Sequence, residues 1–153
     1  MRGAFLCLLL LPVFAYSWDH FQFDVTFFCN VLDRTEYLLK IEWYEKDSAL
    51  SKDDLLTDAK LYRPNVGRFS FTQPGAMDGD EMNSSGYEPV AYISHDCTND
   101  KKRVDLKLSI TTLCPIGNDC HYRIIKDITN VWGKESVEAD DFKQDMGPFP
   151  GFP

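Results

Sequence analysis

Apolar and polar residues alternate from Phe21 onward: Phe21, Phe23, Val25, Phe27 and Cys29 are separated by Gln22, Asp24, Thr26 and Phe28. Period two marks a half-buried strand, because successive side chains leave opposite faces of the pleat. A second strand follows, with Tyr37, Leu39, Ile41 and Trp43 on one face and Leu38, Lys40, Glu42 and Tyr44 on the other. Residues 47–60 are acidic and lose the alternation. They read as a loop with one helical turn at Asp53-Asp54-Leu55-Leu56, where carboxylates suit a helix N-terminus. A short strand around Leu61-Tyr62-Arg63, the turn residues Pro64-Asn65-Val66-Gly67 and a new alternation in Arg68-Phe69-Ser70-Phe71-Thr72 read as a hairpin. Residues 73–87 have loop composition. Further strands are expected at 88–95, at 103–112 with Val104, Leu106, Leu108 and Ile110 on one face, and at 121–132 through Tyr122, Ile124 and Ile128.

Seven short strands with turn-rich connections predict an antiparallel sandwich or barrel, and no stretch keeps a 3.6-residue apolar period for three turns. The aromatic content of 14% agrees with strands better than with a helical bundle. After Trp132 the pattern ends. Residues 134–153 are acidic and proline-rich, too poor in apolar surface to offset their ordering entropy, and are expected to be disordered. The sandwich domain is thus assigned to residues 18–133.

The N-terminus changes the cellular setting. Arg2 precedes the apolar run Phe5 to Leu11, and Ala15-Tyr16-Ser17 supplies small residues for cleavage, so residues 1–17 read as a secretory signal peptide. No later run reaches the roughly 18 apolar residues a membrane helix needs. Loss of Arg2 takes the formal charge from −8 to −9, which argues against nucleic acid as a partner. Cleavage also removes Cys7 and leaves Cys29, Cys97, Cys114 and Cys120, an even number that reads as two disulfides in an oxidising compartment. Four cysteines allow three pairings, and the count does not choose among them. Asn83-Ser84-Ser85 is a sequon for N-glycosylation at Asn83.

Several segments occur together in a characteristic order. Cys29-Asn30 closes the first strand, and Tyr44-Glu45-Lys46-Asp47-Ser48 precedes Asp53-Asp54-Leu55-Leu56. Gly67-Arg68-Phe69 opens a strand, Glu88-Pro89 precedes the next, and His95-Asp96-Cys97 closes it. Over residues 19–132 the chain thereby resembles the nematode transthyretin-like family of secreted proteins. It departs from the family pattern at Val31-Leu32-Asp33, where Gly-Lys-Pro is usual. The resemblance implies an all-β, transthyretin-like antiparallel sandwich of seven to eight strands with at most one short helix. It also implies an extracellular location. Most members have no assigned activity, one bridges phosphatidylserine to an engulfment receptor, and the more distant vertebrate transthyretin carries thyroid hormone.

Candidate chemistry is sparse. His95 and Cys97 share a strand face, but a zinc site would need Cys114, Cys120 or His121 as well, at spacings structural zinc does not use. No Gly-x-Ser-x-Gly elbow occurs, and the C-terminal Tyr-Arg-Gly-Ser of the related hydroxyisourate hydrolases is absent. Catalysis and a cofactor are not expected. Asp53 and Asp54 are the alternative as calcium ligands, without the spacing of an EF-hand. Lys101-Lys102-Arg103 is the one basic triplet and the local spot suited to an anionic head group.

The expected function is therefore that of a secreted, non-enzymatic binding protein recognising a lipid, a small apolar ligand or a cell-surface partner. The alternative is a structural or protein-interaction component of the extracellular matrix or secretions. Strand faces also favour one disulfide pairing. Cys29 shares its face with Val25 and Phe27, and Cys97 with Ala91 and Ile93, so these two should meet between the sheets. Cys114 and Cys120 should then close the short loop between them.

Overall fold

The computed structural model describes residues 18–46, 53–78 and 86–141. Two sheets face each other, and no described residue is helical. The first sheet has the order β4-β1-β7-β9, built from β1 (Asp19–Cys29), β4 (Gly67–Met77), β7 (Cys120–Asp127) and the two-residue β9 (Asp140–Asp141). The second has the order β3-β2-β5-β6-β8, built from β2 (Leu39–Glu45), β3 (Asp54–Tyr62), β5 (Pro89–His95), β6 (Val104–Ile110) and β8 (Gly133–Val137). The fold is an all-β sandwich. Most neighbours are antiparallel, but β1 runs parallel to β7 and β6 parallel to β8. Those parallel pairs come from crossovers between the sheets, which an alternation pattern does not encode.

Alternation places the core. All inward residues of β1, from Asp19 to Cys29, are buried, while their neighbours are half-buried. Between the sheets Phe23 stacks on Trp43, with ring centroids 4.0 Å apart, and on Tyr122 at 5.8 Å. Full burial of such side chains contributes on the order of 2–3 kcal/mol each. Two disulfides fasten the layers: Cys29–Cys97 spans 68 residues and Cys114–Cys120 spans 6. The first pairing is the one the strand faces favoured, and the second closes the short loop as expected.

Four local expectations are corrected. The helical turn at Asp53-Asp54-Leu55-Leu56 is the start of β3, because pairing with β2 at Tyr44↔Leu55 and Glu45↔Asp54 outweighs a local helix signal. Register shifts beside Trp43 scramble its alternation, which hid the strand. Residues 61–72 are not a hairpin, since β3 pairs with β2 while β4 pairs with β1. The chain crosses between sheets there, with Pro64 buried and Gly67 at φ +99°, a conformation that favours glycine. Residues 73–77, read as loop, extend β4, whose edge position accommodates Pro74. Finally, the disordered tail expected from residue 134 instead begins with β8 and β9. The signal peptide, the Asn83 sequon and residues 142–153 lie outside the described residues.

Gly75 shows how closely the two edges meet. A Cβ there would lie 2.8 Å from the carbonyl oxygen of Leu56 and 3.0 Å from Cγ2 of Thr57. Glycine lets β4 approach the backbone of β3 and close this side of the sandwich.

Candidate functional site

The outer face of the five-stranded sheet gathers polar side chains beside a groove. Because β2, β5 and β6 alternate, Lys40, Glu42, Tyr44, Tyr92, Ser94, Asp105 and Lys107 all leave on that side. Register arranges them in two rows across the strands. One runs Glu42↔Tyr92↔Lys107↔Lys134, and the other Leu61↔Lys40↔Ser94↔Asp105. The rows border an open groove of about 740 Å³, which Asp53 and Arg103 also line.

A short relay organises the groove. The Lys107 ammonium donates to the Tyr92 hydroxyl at 2.8 Å, and that hydroxyl donates to Asp53 Oδ2 at 2.7 Å. Tyr44 packs edge-on against Tyr92, with centroids 5.3 Å apart. The hydrogen bond to Tyr92, with the Asp53 carboxylate 3.7 Å away, holds the Lys107 pKa above its ordinary value against the opposing effect of burial. Lys107 is therefore charged at neutral pH. Lys40 pairs with Glu42 at 3.1 Å. Among the described residues Arg103 and Lys134 have no carboxylate within ion-pair distance. Arg103 instead donates from Nε to Ser94 Oγ.

A second groove of about 420 Å³ adjoins the first and shares Lys40, Ser94 and Arg103 with it. Its walls include Leu38 and Leu61, which are 50% and 80% exposed, together with Arg63 and Lys101. Exposed leucines thus sit beside cations on a chain that is acidic overall. That combination can hold an apolar body and a negative group at once.

The structure splits the basic triplet. Lys101 and Arg103 line the second groove, whereas Lys102 pairs with Asp100 at 3.0 Å and lines neither groove. Lys101 itself adopts φ +58° and reaches the Asp33 carbonyl at 3.4 Å. Asp53 faces Lys107 and Tyr92, and Asp54 lies opposite Glu45 in the register of β3 with β2. Among the described residues no group of three or more His, Cys, Asp or Glu side chains is placed to hold a metal. Cys97 and Cys114 are consumed by disulfides, and His95 is bonded to backbone at both ring nitrogens. His121 belongs to the opposite face of the molecule, where it contacts Asp24 at 2.5 Å. There Asp24 is pushed up by burial, but hydrogen bonds from Thr72, His121 and Gln22 outweigh that and leave its carboxyl below the usual range.

The groove residues Lys40, Tyr92, Lys107 and Lys134 were not singled out by the sequence. Their signal was present only as the polar half of each alternation. Which strands adjoin, and hence which polar residues converge, is a property of topology.

No family model matches the chain, and no curated protein matches it. Among solved structures, an alternative pilotin from the type II secretion system of Vibrio cholerae is similar over 82% of this chain and 96% of that one. The identity is 10% and the TM-score 0.36. No described helix is long and apolar enough to cross a membrane, and two disulfides are compatible with an extracellular protein.

Proposed function

We propose that this chain is a secreted, non-enzymatic extracellular binding protein of the transthyretin-like type, holding a lipid or similar anionic amphiphile on the outer face of its five-stranded sheet. One observation carries the reading: exposed Leu38 and Leu61 share a groove with Lys101 and Arg103, continuous with the Lys107–Tyr92–Asp53 relay. The space between the sheets is packed with aromatic rings, and the two grooves lie outside it. Cations beside apolar surface recognise a negative head group while the leucines cover part of its tail. The apolar run Phe5 to Leu11 after Arg2 and the two disulfides support secretion, and the Cys29-Asn30 to His95-Asp96-Cys97 pattern supports the family.

The test is sedimentation with vesicles of neutral phospholipid alone and with vesicles containing phosphatidylserine. Binding is expected to the anionic vesicles and to weaken in Lys107→Ala and Arg103→Ala. Equal or absent binding to both would overturn the reading. It would then favour an interaction component of matrix or secretions, a role supported by Leu32, Trp132 and Ile125, exposed by 81%, 63% and 60% outside the grooves.

A further inference from the structure

Four strands end the two sheets, and they differ in how their free edges are protected. β3 carries Asp54, Asp58 and Lys60 and is interrupted by register shifts. β8 carries Lys134 and Glu135, and β9 has two residues. β4 is the exception: an eleven-residue edge strand paired with β1 along its whole length and with no other described strand. From Gly67 to Gln73 it holds a single charge, Arg68, and no proline. Native edges are ordinarily blunted by charge, proline, bulges or shortness, because an open row of N–H and C=O groups recruits another strand.

Beside this edge lies a half-buried ring cluster. Tyr62 is 5.2 Å from Phe69 and 4.7 Å from Phe71, centroid to centroid, and Phe69 and Phe71 are 5.2 Å apart. Both phenylalanines point inward, while Arg68, Ser70 and Thr72 point outward and are exposed.

We infer that β4 is a self-association edge, pairing antiparallel with β4 of a second copy about a two-fold axis at Ser70. This interface is on the other sheet from the ligand groove and does not depend on that reading. The register is self-complementary. With Ser70 opposite Ser70 of the second copy, Phe69 falls opposite Phe71, and Phe71 opposite Phe69, giving two cross-strand aromatic pairs that extend the ring cluster. Arg68 falls opposite Thr72 of the second copy, and that Thr72 hydroxyl donates to Asp24 Oδ1 at 2.7 Å. Asp24 is paired with Thr72 across β1 and β4. It lies two strand spacings, about 10 Å, from Arg68 of the second copy, a span the two side chains together cover. Among the described residues Arg68 has no carboxylate partner within its own chain. Symmetry therefore supplies two Arg68–Asp24 pairs, one on each side of the axis. This charge complementarity selects a second copy over an arbitrary extended peptide.

The experiment is sedimentation equilibrium of the disulfide-intact chain across a wide concentration range, with non-reducing electrophoresis of cysteine variants. A monomer–dimer equilibrium is expected. Arg68→Glu, at an exposed position, should weaken it by about tenfold or more, since it replaces attraction to Asp24 with repulsion. Ser70→Cys should cross-link as a dimer, because opposed residues of an antiparallel pair have Cα separations that suit a disulfide. Thr72→Cys, which faces Arg68 and not itself, should not. Melting curves of each variant check that the fold is retained. A chain that stays monomeric throughout would overturn the proposal. So would a dimer that resists Arg68→Glu and leaves Ser70→Cys uncrosslinked, which would mean that another surface associates or that residues 142–153 cover the edge.

Discussion

The backbone N–H of Cys97 donates to Nδ1 of His95 at 3.2 Å, while Nε2 of the same ring faces the Val131 carbonyl at 2.9 Å. One ring nitrogen is thereby an acceptor and the other a donor, which is the neutral imidazole with its proton on Nε2. Protonating Nδ1 would set two donors against each other beside the Cys29–Cys97 disulfide.

That arrangement has a pH consequence. Burial lowers the His95 pKa below 6.5, and the carbonyl of Val131 and the charges of Asp96 and Asp105 offset this only in part. Below its unfolded pKa the unfolded chain binds a proton that the folded one resists, so stability present above about pH 6.5 is lost as pH falls through that value. The melting midpoint is expected to drop between pH 7.5 and 5, and the drop should shrink in His95→Gln. Below about pH 4 the depressed Asp24 and Asp127 carboxyls add a further loss of the same sign. A midpoint that is flat from pH 7.5 to 5 in the parent would refute the assignment.

The two disulfides should differ in their contribution. By loop-closure entropy the 68-residue bridge contributes roughly 4 kcal/mol and the 6-residue bridge roughly 2 kcal/mol. Urea unfolding of the Cys29→Ala, Cys97→Ala variant should show the larger fall in midpoint. Removing Cys114 and Cys120 should cost less, because the Tyr87–Cys114 bridge, with backbone bonds of 2.7 and 3.2 Å, remains available. The reverse order would show that the short bridge organises more than its own loop.

What the sequence conveyed was the inside and outside of each regular strand. Phe21 to Cys29, Leu39 to Trp43 and Leu106 to Ile110 are buried at the positions that alternation assigns, and the same faces paired Cys29 with Cys97. It did not convey strand neighbours. Lys107 and Lys134 are 27 positions apart and adjoin only because β8 lies parallel to β6. All of β3 but its end at Leu61-Tyr62 was missed because its register shifts destroy period two, and β8 because Gly133-Lys134-Glu135-Ser136-Val137 has a polar edge composition that local rules assign to loops. In both places a neighbouring strand supplies the hydrogen bonds that the local sequence does not call for.

β8 and the segment after it are structural. Thr111 N–H donates to the Val137 carbonyl at 3.0 Å, Thr112 Oγ1 donates to the Ala139 carbonyl at 2.7 Å, and Ala139 is buried. A chain ending at Gly133 would expose the β6 edge and the core beneath Ala139. Its melting midpoint is expected to fall by well over 5 °C, consistent with a loss above about 1 kcal/mol in a domain of this size. A chain truncated after Asp141 supplies the comparison, since it retains every one of these contacts. A truncation at Gly133 that melted with the parent would show that β8 adds no stability.

Gly75→Ala tests the closure of the sandwich. The added Cβ would meet the Leu56 carbonyl at 2.8 Å, and because backbone cannot rotate away, β3 and β4 must separate. Overpacking of this kind costs about 1–3 kcal/mol. Chemical denaturation should place Gly75→Ala in that range. Gly117→Ala, which has open space around it but φ +78°, should lose stability only through backbone strain. Equal stability of Gly75→Ala and the parent would mean that the two edges are more separable than their contact implies.

The division of the basic triplet separates geometry from general charge. Lys102 is 79% exposed at its side chain and pairs with Asp100, whose carboxyl is held low first by that hydrogen bond. Arg103 lines both grooves and donates to Ser94. If an anionic surface were drawn by charge alone, replacing either residue would weaken binding alike, by about fivefold at roughly 1 kcal/mol per cation. Recognition within the groove makes them unequal. Arg103→Ala should reduce sedimentation with phosphatidylserine vesicles by about fivefold, and Lys102→Ala should leave it within error of the parent. Raising the salt concentration should weaken any general attraction of exposed charges more than the contact beside Leu38 and Leu61, where apolar surface is also covered. Equal losses in the two variants, with full reversal by salt, would replace the groove by diffuse attraction.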